Sequence, residues 1–291
     1  MVKGSGEVSL EITTDVGQTL DDVDIDFKYL TPPSRLDHTS LPPSHLKSKA
    51  FHLICSPSRC IELVHEITTA ALQAGSDFGR AAFFIWEPVP TSCRPSDFSK
   101  ILEANTLVDV VSPNVDELYE IFGREKTSEV YGEDLDREQI VALCRRWIHE
   151  GIGRKRQGAV VVRAGKFGCC LSELASDSIH IENTWFPALH EPVDDLKPSP
   201  KVVDPTGGGN TFLGALALGL VRAGDVPSLE KIKDACIWGM VAASFAVEQI
   251  GLPILGRDAV TGEETWNGVR VADRMSAYTT KVRHLRELER T

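Results

Sequence analysis

The run Lys201-Val-Val-Asp204-Pro205-Thr206-Gly207-Gly208-Gly209-Asn210-Thr211-Phe212-Leu213-Gly214-Ala215-Leu216-Ala217 carries the strongest chemical pattern in the chain. A short apolar stretch, Val202 and Val203, ends at an Asp-Pro break. Three glycines follow, and then a small-residue apolar pattern over residues 212–221 predicts a buried helix. The order is strand, glycine turn, helix start. Glycine lets the backbone approach a ligand closely and take positive φ. The first amides of a helix have no acceptor within it and lie at the positive end of its dipole. Together these features make a cradle for an anion such as phosphate. A plain turn joining strand to helix fits the glycines equally well. Two better-known phosphate loops do not fit: no Lys follows the glycines, as a Walker loop requires. The nearest dinucleotide-type run, Gly151-Ile-Gly153, precedes a strand instead of following one.

Two further groups of residues have the types and spacing for chemistry. Asn114-Val115-Asp116-Glu117 follows an apolar stretch and reads as a capping box, with Asn114 capping a helix and Glu117 reaching back to it. Arg163-Ala164-Gly165-Lys166-Phe167-Gly168 joins two apolar stretches and reads as the turn of a β-hairpin. Its cations, Arg163 and Lys166, reach either phosphate or solvent.

Regular alternation of strands and helices must position these groups. Strands are predicted at residues 50–55, 81–86, 107–111, 158–162, 169–171 and 178–181. Helices are predicted at 58–74, 96–104 with Ser96 or Asp97 as cap, 134–151, 229–250 and 272–290. Gly251-Leu-Pro253 stops the long helix, and residues 265–269 form a turn. Near-continuous apolar strands between helices argue for an α/β fold with a mostly parallel sheet covered on both faces. Residues 50–291 are expected to form this core. Residues 1–49 are expected to be a partial or weakly ordered region, with one alternating strand at 7–14, an acidic stretch at 21–26 and two Pro-Pro segments.

The chain has 291 residues and a net charge of −11. No long Lys/Arg block stands out, which argues against duplex nucleic acid or an anionic membrane as partner. Its longest apolar stretch is too short to span a bilayer, and the N-terminus lacks the apolar core of a signal peptide. The seven cysteines include no C-x-x-C pair. His52 and His65 flank Cys55 and Cys60 but match no zinc spacing, so all four read as strand and helix residues. Reduced thiols in a cytoplasmic protein are expected.

The glycine run resembles the second signature of the ribokinase/PfkB carbohydrate kinase family, D-T-x-G-A-G-D before a helix. It is most similar to a divergent eukaryotic, maintenance-of-killer-like branch. Asp204, Gly207, Gly208 and Gly209 fall into the pattern. The resemblance implies a three-layer ribokinase-like fold, bound ATP and Mg²⁺, and transfer of a phosphoryl group to a hydroxyl of a small molecule. It assigns the glycine amides to an anion hole, and Asp204 to orienting the loop or a monovalent cation. It assigns Asn114 and Glu117 to magnesium and phosphate handling, Gly165 and Gly168 to a loop along the nucleotide phosphates, and the helix over residues 229–250 to the adenine pocket. Two departures stand out. The family has Thr where this chain has Arg163. Its last signature residue is an Asp that accepts the substrate's proton, where this chain has Asn210. An amide hydrogen-bonds a hydroxyl but takes no proton from it. The resemblance begins near Phe51, so the substrate-binding Asp, the glycine-rich segment and the small β lid of the family have no counterpart. The implied alternatives are a weakened sugar or nucleoside kinase, and an inactive relative that binds nucleotide or a protein partner.

Overall fold

The computed structural model describes residues 36–75, 82–124, 135–175, 180–193, 199–223 and 229–288; the expected segments at 7–14 and 21–26 lie outside these. Six strands form one sheet in the order β1 (Ala50–Cys55), β2 (Phe83–Pro88), β3 (Val110–Val111), β4 (Ala159–Arg163), β5 (Cys169–Leu174) and β6 (Ile181–Phe186). The first four are parallel; β5 and β6 each run antiparallel to the preceding strand.

Each parallel step needs a crossover. Helix α1 (Pro57–Gln73) joins β1 to β2, α2 (Phe98–Asn105) joins β2 to β3, and α3 (Val115–Ile121) with α4 (Arg137–Glu150) joins β3 to β4. Crossovers of one hand between strands laid down in one direction fall on one face. That face packs Phe84, Trp86, Val160 and Val162 against Val64, Ile101, Leu118 and Trp147. Successive side chains of a strand alternate between faces. Phe83, Ile85, Ala159 and Val161 therefore point the other way, onto α5 (Gly208–Arg222), α6 (Leu229–Ala246) and α7 (Val271–Leu288). The result is three layers with a core on each side of the sheet. Helix α7 is fastened where the buried Tyr278 hydroxyl donates to the Pro187 carbonyl at 2.6 Å.

A second sheet of three short strands, β7 (Leu255–Arg257), β8 (Glu264–Trp266) and β9 (Val269–Arg270), lies between α6 and α7. Asn267 (φ 51°) and Gly268 (φ 76°) make the two-residue turn between β8 and β9. Among the described residues, no helix is long and apolar enough to cross a membrane.

Several local expectations are corrected. Val202 and Val203 form no strand: the amides of Val203 and Asp204 both donate to the Val247 carbonyl, at 2.8 and 3.2 Å, at the end of α6. That helix stops at Ala246, before the predicted Gly251. Helix α5 begins at Gly208, inside the glycine run, because these residues form its first turn. Strand β6 extends to Phe186 through Trp185, which had read as loop. Asp97 makes no side-chain cap for α2, since a 3₁₀ turn runs straight into the helix and the carboxylate pairs with Arg94 Nε at 3.2 Å.

Candidate functional site

The carboxyl ends of β2, β3 and β4 and the first turn of α5 meet at one edge of the sheet. Ligands of open α/β sheets bind outside such strand ends. Strand β4 is buried and apolar until its last residue, Arg163, which leaves the sheet at this edge. The Arg163 amide donates to the Pro113 carbonyl at 3.0 Å and its backbone bridges to Asn114, so β3 and β4 stay paired up to the site. The guanidinium is then drawn between acids. Its Nη2 donates to Glu87 Oε1 at 2.7 Å and to the Ser112 carbonyl at 3.2 Å, and lies 3.5 Å from Glu117 Oε2. His52 Nε2 is 3.2 Å from Glu87 Oε2 on the far side. Arg163 Nε is buried without a hydrogen-bond partner.

Asn114 and Glu117 form the expected capping box. The Glu117 amide donates to Asn114 Oδ1 and the Asn114 amide donates to Glu117 Oε2, both at 2.8 Å. This fixes the Glu117 carboxyl at the start of α3, under Arg163. Burial pushes Glu117 up to about 7, against the opposing pull of the Asn114 amide and Arg163. Glu87 behaves differently: burial pushes it up, but the His52 hydrogen bond and the Arg163 charge outweigh this and hold it below the usual carboxylate range. The two acids thus divide into an ionised partner for Arg163 and one poised near neutrality.

The glycine run reaches the same place from the opposite face. Gly207 caps α5 in the left-handed conformation, at φ 78°. The Gly208 amide donates to the Pro205 carbonyl at 3.1 Å, within the turn that opens the helix. A Cβ on Gly209 would lie 2.5 Å from Arg163 Nη1. Only a residue without a side chain lets the guanidinium lie against the first turn of the helix. The helix itself supplies no acceptor for the amides of Gly209 and Asn210. The side chain of Asn210 is exposed beside them. Asp204 Oδ1 accepts the Thr206 amide at 2.9 Å, and that bond with the Thr206 hydroxyl holds Asp204 below the usual carboxylate range. Its visible task is to shape the turn into α5.

Of the residues singled out in the sequence, Asn114, Glu117, Arg163 and Gly209 come together. Gly165 and Gly168 shape the β4–β5 turn, both at positive φ (51° and 91°). Lys166 lies on that turn, half-buried, with Nζ 5.0 Å from the centre of the Phe167 ring. Glu87, His52 and Ser112 complete the cluster and were missed. Glu87 left one trace, as the only charge in the apolar run Phe83–Pro88. Among the described residues, no group of three or more His, Cys, Asp or Glu side chains could hold a metal ion directly.

Comparison with known proteins agrees with this architecture. The model of the pfkB family carbohydrate kinases matches residues 44–254. Protein MAK32 of Saccharomyces cerevisiae is 31% identical over 266 residues, covering 88% of this chain and 65% of that protein. An uncharacterized Schizosaccharomyces pombe protein is 30% identical over 257 residues, covering 87% of this chain and again 65% of its own length. The chain thus spans about two thirds of these relatives, which is 65% of each. Ribokinase from Giardia lamblia is 18% identical and superposes with a TM-score of 0.51 over 84% of this chain and 64% of that one, so the fold is ribokinase-like. With a family model that takes in residues 44–254, on a fold that is ribokinase-like, this chain belongs to the pfkB family of carbohydrate kinases.

Proposed function

We propose that the edge formed by Arg163, Glu117 and the α5 first turn is a phosphoryl-transfer site with a weakened proton acceptor. It would bind ATP and pass the terminal phosphoryl group to a hydroxyl of a sugar, nucleoside or related small metabolite. One observation carries the reading. The guanidinium of Arg163 lies against the first turn of α5 because Gly209 has no side chain, which sets a cation beside helix amides that lack acceptors.

The residues present fit a nucleotide. The Gly209 and Asn210 amides and Arg163 would meet the transferring phosphate, and the Gly165–Gly168 turn with Lys166 would line the rest of the phosphate chain. Mg²⁺ would be carried by the phosphates and by water, with Asn114 and Glu117 behind that water, because no acidic cluster would ligate it directly. When bound, the ion would offset phosphate charge. Asp204 would keep the turn in shape and, through it, a monovalent cation in reach. Asn210 would hydrogen-bond the substrate hydroxyl without deprotonating it. Phosphoryl transfer depends mainly on positioning and charge stabilisation, so turnover would be slowed and not abolished.

A second reading is a nucleotide-binding protein without turnover that acts through a protein partner. The amide at position 210 is the observation that favours it.

A calorimetric titration of Mg·ATP into the protein and into Gly209→Asp tests the proposal. The substitution places a carboxylate on the anion's position, and its nearest neighbour there is the movable tip of Arg163. Binding by the parent chain, weakened at least about tenfold in the variant, is expected. A parent chain that binds no nucleotide would leave the glycine run a structural turn. ADP release over a panel of hydroxyl substrates then separates the two readings.

A further inference from the structure

The guanidinium of Arg163 ends among oxygens. Its Nη2 lies 2.7 Å from Glu87 Oε1, 3.2 Å from the Ser112 carbonyl and 3.5 Å from Glu117 Oε2. Three elements deliver these oxygens: Glu87 lies near the end of β2, Ser112 follows β3, and Glu117 is in the first turn of α3. The Glu87 and Glu117 side chains are 13% and 6% exposed, and Ser112 is buried. His52 Nε2 holds the second Glu87 oxygen from the far side, at 3.2 Å.

Two carboxylates and a backbone carbonyl converging on one point are an all-oxygen donor set of the kind that hard divalent cations take from proteins. Here a nitrogen of the chain itself fills the point. Two buried acids facing each other without a cation would be costly, and Arg163 supplies the opposing charge. The same guanidinium reaches further. Its Nη1 turns to the first turn of α5, where a Cβ on Gly209 would lie 2.5 Å from it. A planar fork of donors thus links the acids to the position of an anion. A metal ion shared between protein carboxylates and substrate phosphates makes the same link.

We infer that Arg163 stands in for a divalent cation: Nη2 fills an oxygen-lined cation position and Nη1 serves the phosphate, so the chain binds a nucleotide without needing a metal ion. The second half rests on the phosphate-site reading; the first half stands on the geometry alone.

The charges agree with this assignment. Glu87 stays below the usual carboxylate range, so it is ionised and Arg163 offsets it. Burial pushes Glu117 up to about 7, so near neutrality it carries its proton part of the time. The three groups together repel a phosphate less than two ionised acids would. Mg²⁺ arriving with a nucleotide stays on the phosphates and on water, because the place among these oxygens is taken. Its contribution falls on transfer and not on binding.

The first test titrates ATP calorimetrically into the full chain, once with Mg²⁺ and once with EDTA. Dissociation constants within about threefold of each other are expected, since the charge-assisted bonds come from the chain. A loss of at least about tenfold in EDTA would overturn the inference. Failure of both forms to bind would remove the nucleotide reading instead, and the second test would then decide alone. It follows Mn²⁺ by electron paramagnetic resonance without nucleotide. Arg163→Ala should take up one Mn²⁺ per chain, and adding Glu87→Gln should abolish that uptake. A folded Arg163→Ala that gains no Mn²⁺ would overturn the inference. Should that variant not fold, the parent chain and Glu87→Gln give the readout. Equal Mn²⁺ uptake by the two supports the inference, and an ion held by the parent but lost with Glu87 overturns it.

Discussion

Position 210 carries an amide where proton acceptance would need a carboxylate, and the consequence is measurable. Asn210 is exposed on the first turn of α5, so Asn210→Asp changes the chemistry with little effect on packing. A general base is worth about 10²–10⁴ in rate. The variant should therefore raise ADP release by a factor in that range in a coupled assay on a responsive substrate; an unchanged rate would remove residue 210 from the reaction. Glu117 gives a second prediction, in stability. Its folded value of about 7 lies above the ordinary carboxylate value because burial disfavours the ionised form. The stability it contributes is therefore present at low pH and is lost as pH rises from about 4.5 toward 7. The loss is on the order of 3 kcal/mol. Glu117→Gln keeps an acceptor for the Asn114 amide but has no charge to bury. Urea denaturation should show the variant gaining on the parent by that order between pH 5 and 8. A pH-independent difference would mean that Arg163 already holds Glu117 ionised. How much of this was legible depended on the residue. Asn114 and Glu117 announce themselves through local spacing. Glu87 and His52 do not, because only the pairing of β1 with β2 brings them together, 35 positions apart in sequence.

The elements around the site differ in how they are held, and the β4–β5 turn shows this best. Gly165 and Gly168 look alike in sequence, and both have positive φ. A Cβ at 165 would meet open space, whereas one at 168 would run into the Phe186 carbonyl of the neighbouring β6. Gly165→Ala should cost about 1 kcal/mol for the left-handed backbone alone. Gly168→Ala should cost more than about 3 kcal/mol, because strand spacing must also give. Thermal denaturation of the two variants checks the ranking. The sequence identifies the turn but not this asymmetry, which depends on β6 lying alongside. The same limit explains the misreadings. Val202 and Val203 have strand-like side chains, yet their backbone partner is the end of α6. Trp185 and Phe186 precede a proline and read as loop, yet β5 offers them a full ladder. Long apolar strands and amphipathic helices were legible because their periodicity is local. Short segments that borrow hydrogen bonds from distant elements were not.

At the scale of the whole molecule, the two cores depend on different parts of the chain. One is closed by helices that alternate with the strands. The other waits for α5, α6 and α7, all of which follow the last strand of the sheet. Truncation after Arg270 removes Tyr278 and Val282, each 2% exposed, and uncovers part of that second core. The truncated chain should lose a cooperative urea transition or precipitate, while Tyr278→Phe, which deletes only the bond to Pro187, should cost about 1 kcal/mol. The sequential strand order has a further consequence during synthesis. As the chain leaves the ribosome, each new strand can pair with the one before it in sequence, so the sheet can assemble in order from β1. Throughout that time Phe83, Ile85, Val110 and Val161 face outward with nothing over them. Only when residues 208–282 emerge can α5 travel back to β1 and β2 and the later helices settle over β5 and β6. The nascent polypeptide therefore displays a broad greasy sheet until residues 208–282 are made, and its yield in a cell would be governed by chaperones that hold such surfaces until then.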